Sequence, residues 1–470
     1  MATSPNPEQN ESFGNIDALG HAEAALRGYA SGAPGERRKH DPHFEERQKG
    51  RPKPPPHGVF RSMGLGLITG AADDDPSAIG TYAAAGASFG PSFLCAVPAI
   101  FPMMFTVVYL SSKVGQVSGK GLFAVIREHY PRWLLYTFLV GVLIGNTIEA
   151  GADLGGMAAA LNLMVPIPIG WIVIFIGLTL LLLQVYCSYT LIRDVFRWLA
   201  LALAAYIGSA VLAKPDWWPI LKATFIPSIH WNRESLSMLV AVIGTSLSAY
   251  LYTWQSNQDV EEDISMGRRR LTDRMGTTKE ELTHSAQDIG FGMFFSNLVM
   301  YFIILSTAAT LFKTGHTEIN TAAEAAQALR PLAGNAAGTL FAIGVVAVGF
   351  LAVPIMTMGA AYDLCQTFGW KHGLHAKVHE AKPFYASIVA VTLIAMGINF
   401  LGLNPMKALV WAGIVQGFST PFLLLIVMFI TNNRRIMGRW VNGPAINVLG
   451  WITTAAVFSA TIALIVMWIV

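Results

Sequence analysis

The stretch GAADDDPSAIG, Gly70–Gly80, decides how this chain is read. It sets three consecutive aspartates, Asp73, Asp74 and Asp75, against Pro76. The flanks, GVFRSMGLGLIT before and TYAAAGASFG after, are apolar or small. A single charge near a bilayer centre costs about 3 kcal/mol on insertion scales. Proline has no N–H and clashes with the carbonyl four residues back, so a regular helix is disturbed at Pro76. Gly66, Gly70, Gly80 and Gly86 weaken it further. At membrane depth, freed backbone is tolerated only where it lines a cavity or is buried in protein. Carboxylates beside freed carbonyls make a cation site.

The rest of the chain supports a membrane setting. Of 470 residues, 53% are hydrophobic and only 13% charged, with mean hydropathy +0.48. Soluble domains carry about 25% charged residues. A net charge of +3 does not suggest nucleic-acid binding. Cys95, Cys187 and Cys365 lie far apart and read as small buried hydrophobes. No CxxC or Cys/His cluster points to zinc or redox chemistry, and no cofactor is expected. Residues 1–57, rich in Pro, Gly and charge, read as a disordered cytoplasmic tail without a signal-peptide core.

Apolar segments of about 20 residues, the length needed to span ~30 Å, follow one another from Val59. We place them near 60–86, 91–112, 133–163, 169–190, 195–213, 236–257, 286–312, 337–365, 384–402, 406–430 and 445–469. This gives an all-α polytopic membrane protein of about eleven helices. With the N-terminus in the cytoplasm, only Lys214, Lys222, Arg233, Lys313, Arg330 and Lys407 of the 32 Lys and Arg fall outside. That asymmetry orients the N-terminus inward and the C-terminus outward. The charged run QDVEEDISMGRRRLTDRMGTTKEELTH, Gln258–His284, reads as a solvated cytoplasmic connection. Its alternative is a vestibule built from Asp259, Glu261, Glu262 and Asp263.

A second interruption is expected in the sixth segment, LVAVIGTSLSAYLYTWQSNQD, where Gly244, Thr245, Ser246 and Ser248 lie mid-span before Tyr250. Spans one and six are five apart. Inverted five-helix halves would bring two such broken helices together around a midplane site. Residues 58–435 would then form the core, and 436–470 an added span. Asp75 is the expected ligand, and at least one of Asp73 and Asp74 is expected to face the vestibule or solvent. In NTIEAGADLGG, Glu149 and Asp153 are four apart and share a helix face.

These residues resemble the Nramp family of divalent metal transporters, which has a LeuT-like fold. The family's Asp-Pro-Gly-Asn reads here as Asp75-Pro76-Ser77-Ala78. The third segment, EAGADLGGMAAALNLMVPIPIGW, and the tenth, NPMKALVWAGIVQGFSTPFLLLIVMFITNNRRIMG, are also similar to the family's. The family's asparagine falls on Ala78, its sixth-helix methionine on Ser248 and its histidine on Tyr250, so the chain resembles a divergent, magnesium-transporter-like branch. The resemblance implies ligation by the Asp75 carboxylate and the carbonyls of Ala72 and Thr245. Ser77 and Ser248 would add hydroxyls or hold waters, Asp74, Tyr250 and Gln416 would form a surrounding layer or gate, and Glu149 and Asp153 a proton path. It implies a monomer in a bacterial-type cytoplasmic membrane, with the metal as substrate. An oxygen-only donor set suits Mg²⁺ or Mn²⁺.

Rival readings are weaker. An amino-acid substrate would bring its carboxylate against three aspartates. Tyr362-Asp363 resembles half of a membrane aspartyl protease motif, but its Gly-x-Gly-Asp partner is missing and no hydrolase motif appears. A sensor or channel remains open to test by flux.

Overall fold

The computed structural model describes residues 65–186, 204–214, 216–229 and 231–469. The proposed tail, Cys187 and residues 195–203 of the 195–213 span lie outside the described residues. Fifteen helices matter here. They are α1 (Leu65–Asp73), α2 (Pro76–Phe89), α3 (Ala96–Ser118), α4 (Leu122–His129), α5 (Arg132–Asn162) and α6 (Ile169–Tyr186). Next come α7 (Ala204–Leu212), α8 (Trp217–Phe225), α9 (Arg233–Ser246), α10 (Ala249–Ser265) and α11 (Lys279–Thr310). The last are α12 (Ala337–Phe368), α13 (Lys382–Ile398), α14 (Pro405–Asn432) and α15 (Pro444–Ile469). Among the described residues, 8 helical stretches are long and apolar enough to cross a membrane, with α13 a shorter apolar helix.

The first segment breaks where proline demands it. α1 stops at Asp73, and α2 starts with Pro76 as its first residue. Asp75 is the cap between them, with ψ 171, the extended conformation that a following proline imposes. Pro76 therefore sits where its missing N–H costs nothing to α2. The same missing N–H would have served the carbonyl of Ala72, four residues earlier. That carbonyl takes the Tyr250 hydroxyl instead, at 2.7 Å.

The sixth segment breaks without proline. α9 ends at Ser246, and Leu247 leaves the helical region with φ −121 and ψ 32. Hydroxyls absorb the loosened carbonyls. Ser248 Oγ lies 3.0 Å from both Gly244 O and Thr245 O. Leu247 O accepts from Thr420 Oγ1 at 3.0 Å and from the Tyr252 hydroxyl. Side-chain re-satisfaction of this kind lets a helix break inside a membrane.

Small residues set the packing around the breaks. Gly70 of α1 lies so close to Gly292 of α11 that a Cβ would overlap the Gly292 backbone. Gly244 of α9 meets Gly413 and Gly417 of α14 in the same way. α2 packs against α11, α14 and α5, α10 against α3 and α12, and α15 lies outside on α9, α14 and α3.

The charged run after the sixth segment is only in part the solvated connection expected from composition. α10 continues to Ser265, and Glu261, Asp263 and Arg268 are buried. Arg268 bridges Asp263 (2.6 Å) and Glu281 (2.7 Å), while Glu281 also closes a capping box with Thr278 at the start of α11. Glu261 accepts from the Tyr362 hydroxyl (2.6 Å) and Leu374 N (3.2 Å), and its other oxygen lies 3.4 Å from His375 Nε2. Two of the four acidic groups of the alternative vestibule, Glu261 and Asp263, are thus engaged in holding α10, α11, α12 and the loop after α12 together. Cys365 is buried as expected, but Cys95 is only partly so.

Candidate functional site

Asp75 occupies the gap between α1 and α2. Its Oδ1 accepts from Ala78 N (2.6 Å) and Ser77 Oγ (2.7 Å), and its Oδ2 from the Tyr250 hydroxyl (3.1 Å). The two broken segments therefore meet: Tyr250, in the first turn of α10, touches both Ala72 and Asp75. α5 supplies two further carboxylates. Asp153 Oδ1 accepts from Ser77 N (2.8 Å), one of the open amides at the start of α2. Glu149 Oε1 lies 3.1 Å from Ser248 Oγ and 3.3 Å from Ser77 Oγ. Gln416 of α14 donates to Glu149 Oε2 (2.6 Å) and lies 3.3 Å from Asn146 Oδ1. Ala72, Asp75, Ser77, Glu149, Asp153, Thr245, Ser248, Tyr250 and Gln416 are all buried and linked by hydrogen bonds into one cluster, which leaves out Asp74 of the sequence-derived set.

Asp73 and Asp74 do not face a vestibule or solvent. Both are 0% exposed, turned to α11, where Ser296 Oγ lies 2.6 Å from Asp73 Oδ2 and 3.3 Å from Asp74 Oδ1. The reason lies in the α1–α11 contact: the glycines of α1 bring the two backbones together, and Ser296 is one turn beyond Gly292 on the same face. Met300, another turn on, brings a thioether to 3.7 Å from Ser246 Oγ, which also meets the Tyr82 hydroxyl at 2.8 Å. Nothing local in the sequence marks Ser296 or Met300, because their partners lie more than 50 residues away.

The donors and acceptors do not balance. Ser77, Ser248 and Tyr250 bring one hydroxyl proton each. Within their reach lie Asp75 Oδ1 and Oδ2, Glu149 Oε1 and the carbonyls of Ala72, Gly244 and Thr245. Asp153 Oδ2 has no hydrogen-bond partner, nor do Asp73 Oδ1 and Asp74 Oδ2. Among the described residues, no Lys, Arg or His side chain hydrogen-bonds or ion-pairs with any of these carboxylates. A buried cluster of carboxylates and carbonyls with few donors is stabilised by positive charge from elsewhere. Beside Pro76 lies a cavity of about 10 Å³, lined by Gly80, Gly156 and Leu409 among others, about the size of one water.

The match to known proteins covers nearly the whole described chain. The model for natural resistance-associated macrophage protein-like (Nramp) sequences matches residues 66–467. The divalent metal cation transporter MntH of Klebsiella pneumoniae is 26% identical over 402 residues, covering 84% of this chain and 92% of that protein. The manganese transporter of Eremococcus coleocola superposes with TM-score 0.68 at 18% identity, covering 89% of this chain and 88% of that one. Mhp1, a nucleobase-cation-symport-1 family transporter, follows with TM-score 0.51 at 12% identity, covering 86% and 92%. The similar proteins are transporters by name rather than enzymes, and the shared architecture is the LeuT-like one. With a family model spanning its helices from α1 to α15, the chain belongs to the Nramp family.

Proposed function

We propose that this protein carries a hard divalent cation, Mg²⁺ or Mn²⁺, across the cytoplasmic membrane by alternating access around the α1/α2 and α9/α10 breaks. The observation that carries this reading is the excess of buried oxygen acceptors over hydroxyl protons around Asp75, with no Lys, Arg or His side chain bonded to them among the described residues. Asp75 supplies charge, the Ala72 and Thr245 carbonyls supply neutral oxygens, and Ser77 and Ser248 supply hydroxyls or hold waters. The groups that touch Asp75 donate from oxygen or backbone nitrogen, which suits metals that prefer carboxylate, carbonyl and water. The similarity to a divalent metal cation transporter and to a manganese transporter supports the same class of substrate.

The residues divide the work. Pro76 keeps the Ala72 carbonyl outside the helical ladder, and the cap at Asp75 holds the carboxylate at the start of α2. Asp153 pins the first turn of α2 to α5 through Ser77 N, and a proton carried by α5 would travel on this carboxylate. Thr69 Oγ1 donates to Gln255 Oε1 (2.6 Å), tying α1 to α10 between the site and the Arg-rich end. Gln416 closes the site from α14. With the Arg-rich end in the cytoplasm, as the Lys and Arg distribution argues, rocking of α1 with α10 opens the inner route.

The test is uptake into proteoliposomes with Mn²⁺, Mg²⁺ and Ca²⁺ compared and internal pH followed. Saturable uptake that falls at least tenfold in Asp75→Ala is the expected result. Failure to take up any divalent ion overturns the reading, and uptake without acidification removes the proton path.

A further inference from the structure

We propose that Glu149 is itself a ligand of the transported cation, so that the site is a carboxylate pair contributed by the α2 cap and by α5. This rests on the function proposed above and deepens it. The resemblance assigns Glu149 only to a proton path, and the geometry points elsewhere.

Glu149 stands at the middle of the oxygen cluster rather than beside it. Its carboxylate touches Ser77 of α2, Ser248 at the α9/α10 break and Gln416 of α14. Of these, Ser77 stands against the Asp75 carboxylate and Ser248 against the carbonyl of Thr245. Ser77 Oγ lies between the two carboxylates, 2.7 Å from Asp75 Oδ1 and 3.3 Å from Glu149 Oε1. It has one proton, and the nearer oxygen of Asp75 takes it. Ser248 Oγ likewise has one proton for Glu149 Oε1, Gly244 O and Thr245 O. Glu149 Oε1 thus has two hydroxyls within reach, and both have other acceptors at equal or shorter distance. Releasing them exposes a carboxylate oxygen on the Asp75 side. Glu149 Oε2 is occupied by Gln416 Nε2 at 2.6 Å, which aims the other oxygen at the breaks.

Charge argues the same way. Asp75 alone would leave one positive charge of a divalent ion uncompensated in a fully buried site. A second carboxylate neutralises it, and one or two carboxylates are the usual protein complement for Mg²⁺. Of the remaining carboxylates, Asp153 meets only Ser77 N, through Oδ1, and Asp73 and Asp74 are turned to Ser296. Glu149 is the one that meets residues of both broken segments.

The test is Mn²⁺ and Mg²⁺ binding by titration calorimetry on the full-length detergent-solubilised chain, comparing wild type, Glu149→Gln, and the swap Glu149→Gln with Gln416→Glu. The swap keeps a carboxylate–amide hydrogen bond between α5 and α14 but moves the charge to α14. Expected is at least a tenfold rise in Kd for Glu149→Gln. In the swap, the thermal midpoint recovers while the affinity stays below wild type. Wild-type affinity in folded Glu149→Gln overturns the inference and leaves Glu149 as a helix tie. Wild-type affinity in the swap overturns it equally and also covers the case in which the single variant does not fold. Absence of divalent binding by the wild type instead overturns the function on which this rests.

Discussion

Removing one hydroxyl, in Tyr250→Phe, tests the coupling between the helix break and the cargo. Tyr250 OH lies 2.7 Å from Ala72 O and 3.1 Å from Asp75 Oδ2, and all three residues are fully buried. Ala72 O is the carbonyl that Pro76 frees, so without the hydroxyl it has no donor in the helix ladder. A buried acceptor left unsatisfied costs about 1–3 kcal/mol. That cost falls on the metal-free protein. Once an ion coordinates Ala72 O and Asp75 Oδ2, both oxygens are satisfied and the hydroxyl is no longer needed. The variant should therefore melt at lower temperature without metal and bind Mn²⁺ more tightly by a comparable free energy. At about 1.4 kcal/mol per decade, this is roughly a tenfold fall in Kd. Thermal melts with and without Mn²⁺, together with calorimetric titration, measure both halves. A variant that loses stability and also loses affinity would refute the reasoning, since the hydroxyl would then be a ligand and not the ion's competitor.

Two further outcomes follow from the packing. Gly244→Val drives a side chain into the backbone of Gly413 and Gly417, which cannot move without separating α9 from α14. It should abolish the monodisperse peak in size-exclusion chromatography, whereas Gly141→Ala, with nothing within 4 Å of the new Cβ, should leave it intact. Glu261→Ala removes the acceptor shared by Tyr362, Leu374 N and His375. Limited proteolysis should then cut the loop between α12 and α13 several-fold faster, with no change expected at the loop between α5 and α6.

Several features were legible along the chain because their causes are local. A proline after three aspartates breaks a helix wherever it stands, and the cap at Asp75 is the consequence. Runs of about 20 apolar residues make the helices, and the structure keeps two of the longest, α5 and α12, close to their expected bounds. The second break was harder to read, since Gly244 to Ser248 contains no proline. It was expected from hydroxyl residues at mid-span and from the five-helix spacing, and the hydroxyls do hold its carbonyls.

What the chain could not display is which carboxylate faces which partner. Asp73, Asp74 and Asp75 are neighbours of one chemistry, yet two are turned to Ser296 and one is turned to Tyr250 and Ser77. Glu149 and Asp153 share a face of α5, yet one meets α14 and the sixth-segment break while the other caps α2. Apart from the local Asp75–Ser77 pair, these assignments are contacts between residues 76 to 267 apart in sequence. Periodicity specifies the face of a single helix, but the rotation and depth of that helix against its neighbours are set by close glycine contacts such as Gly70–Gly292 and Gly244–Gly413. The break was determined by covalent geometry within four residues; the distribution of charge around it was decided only when the helices packed.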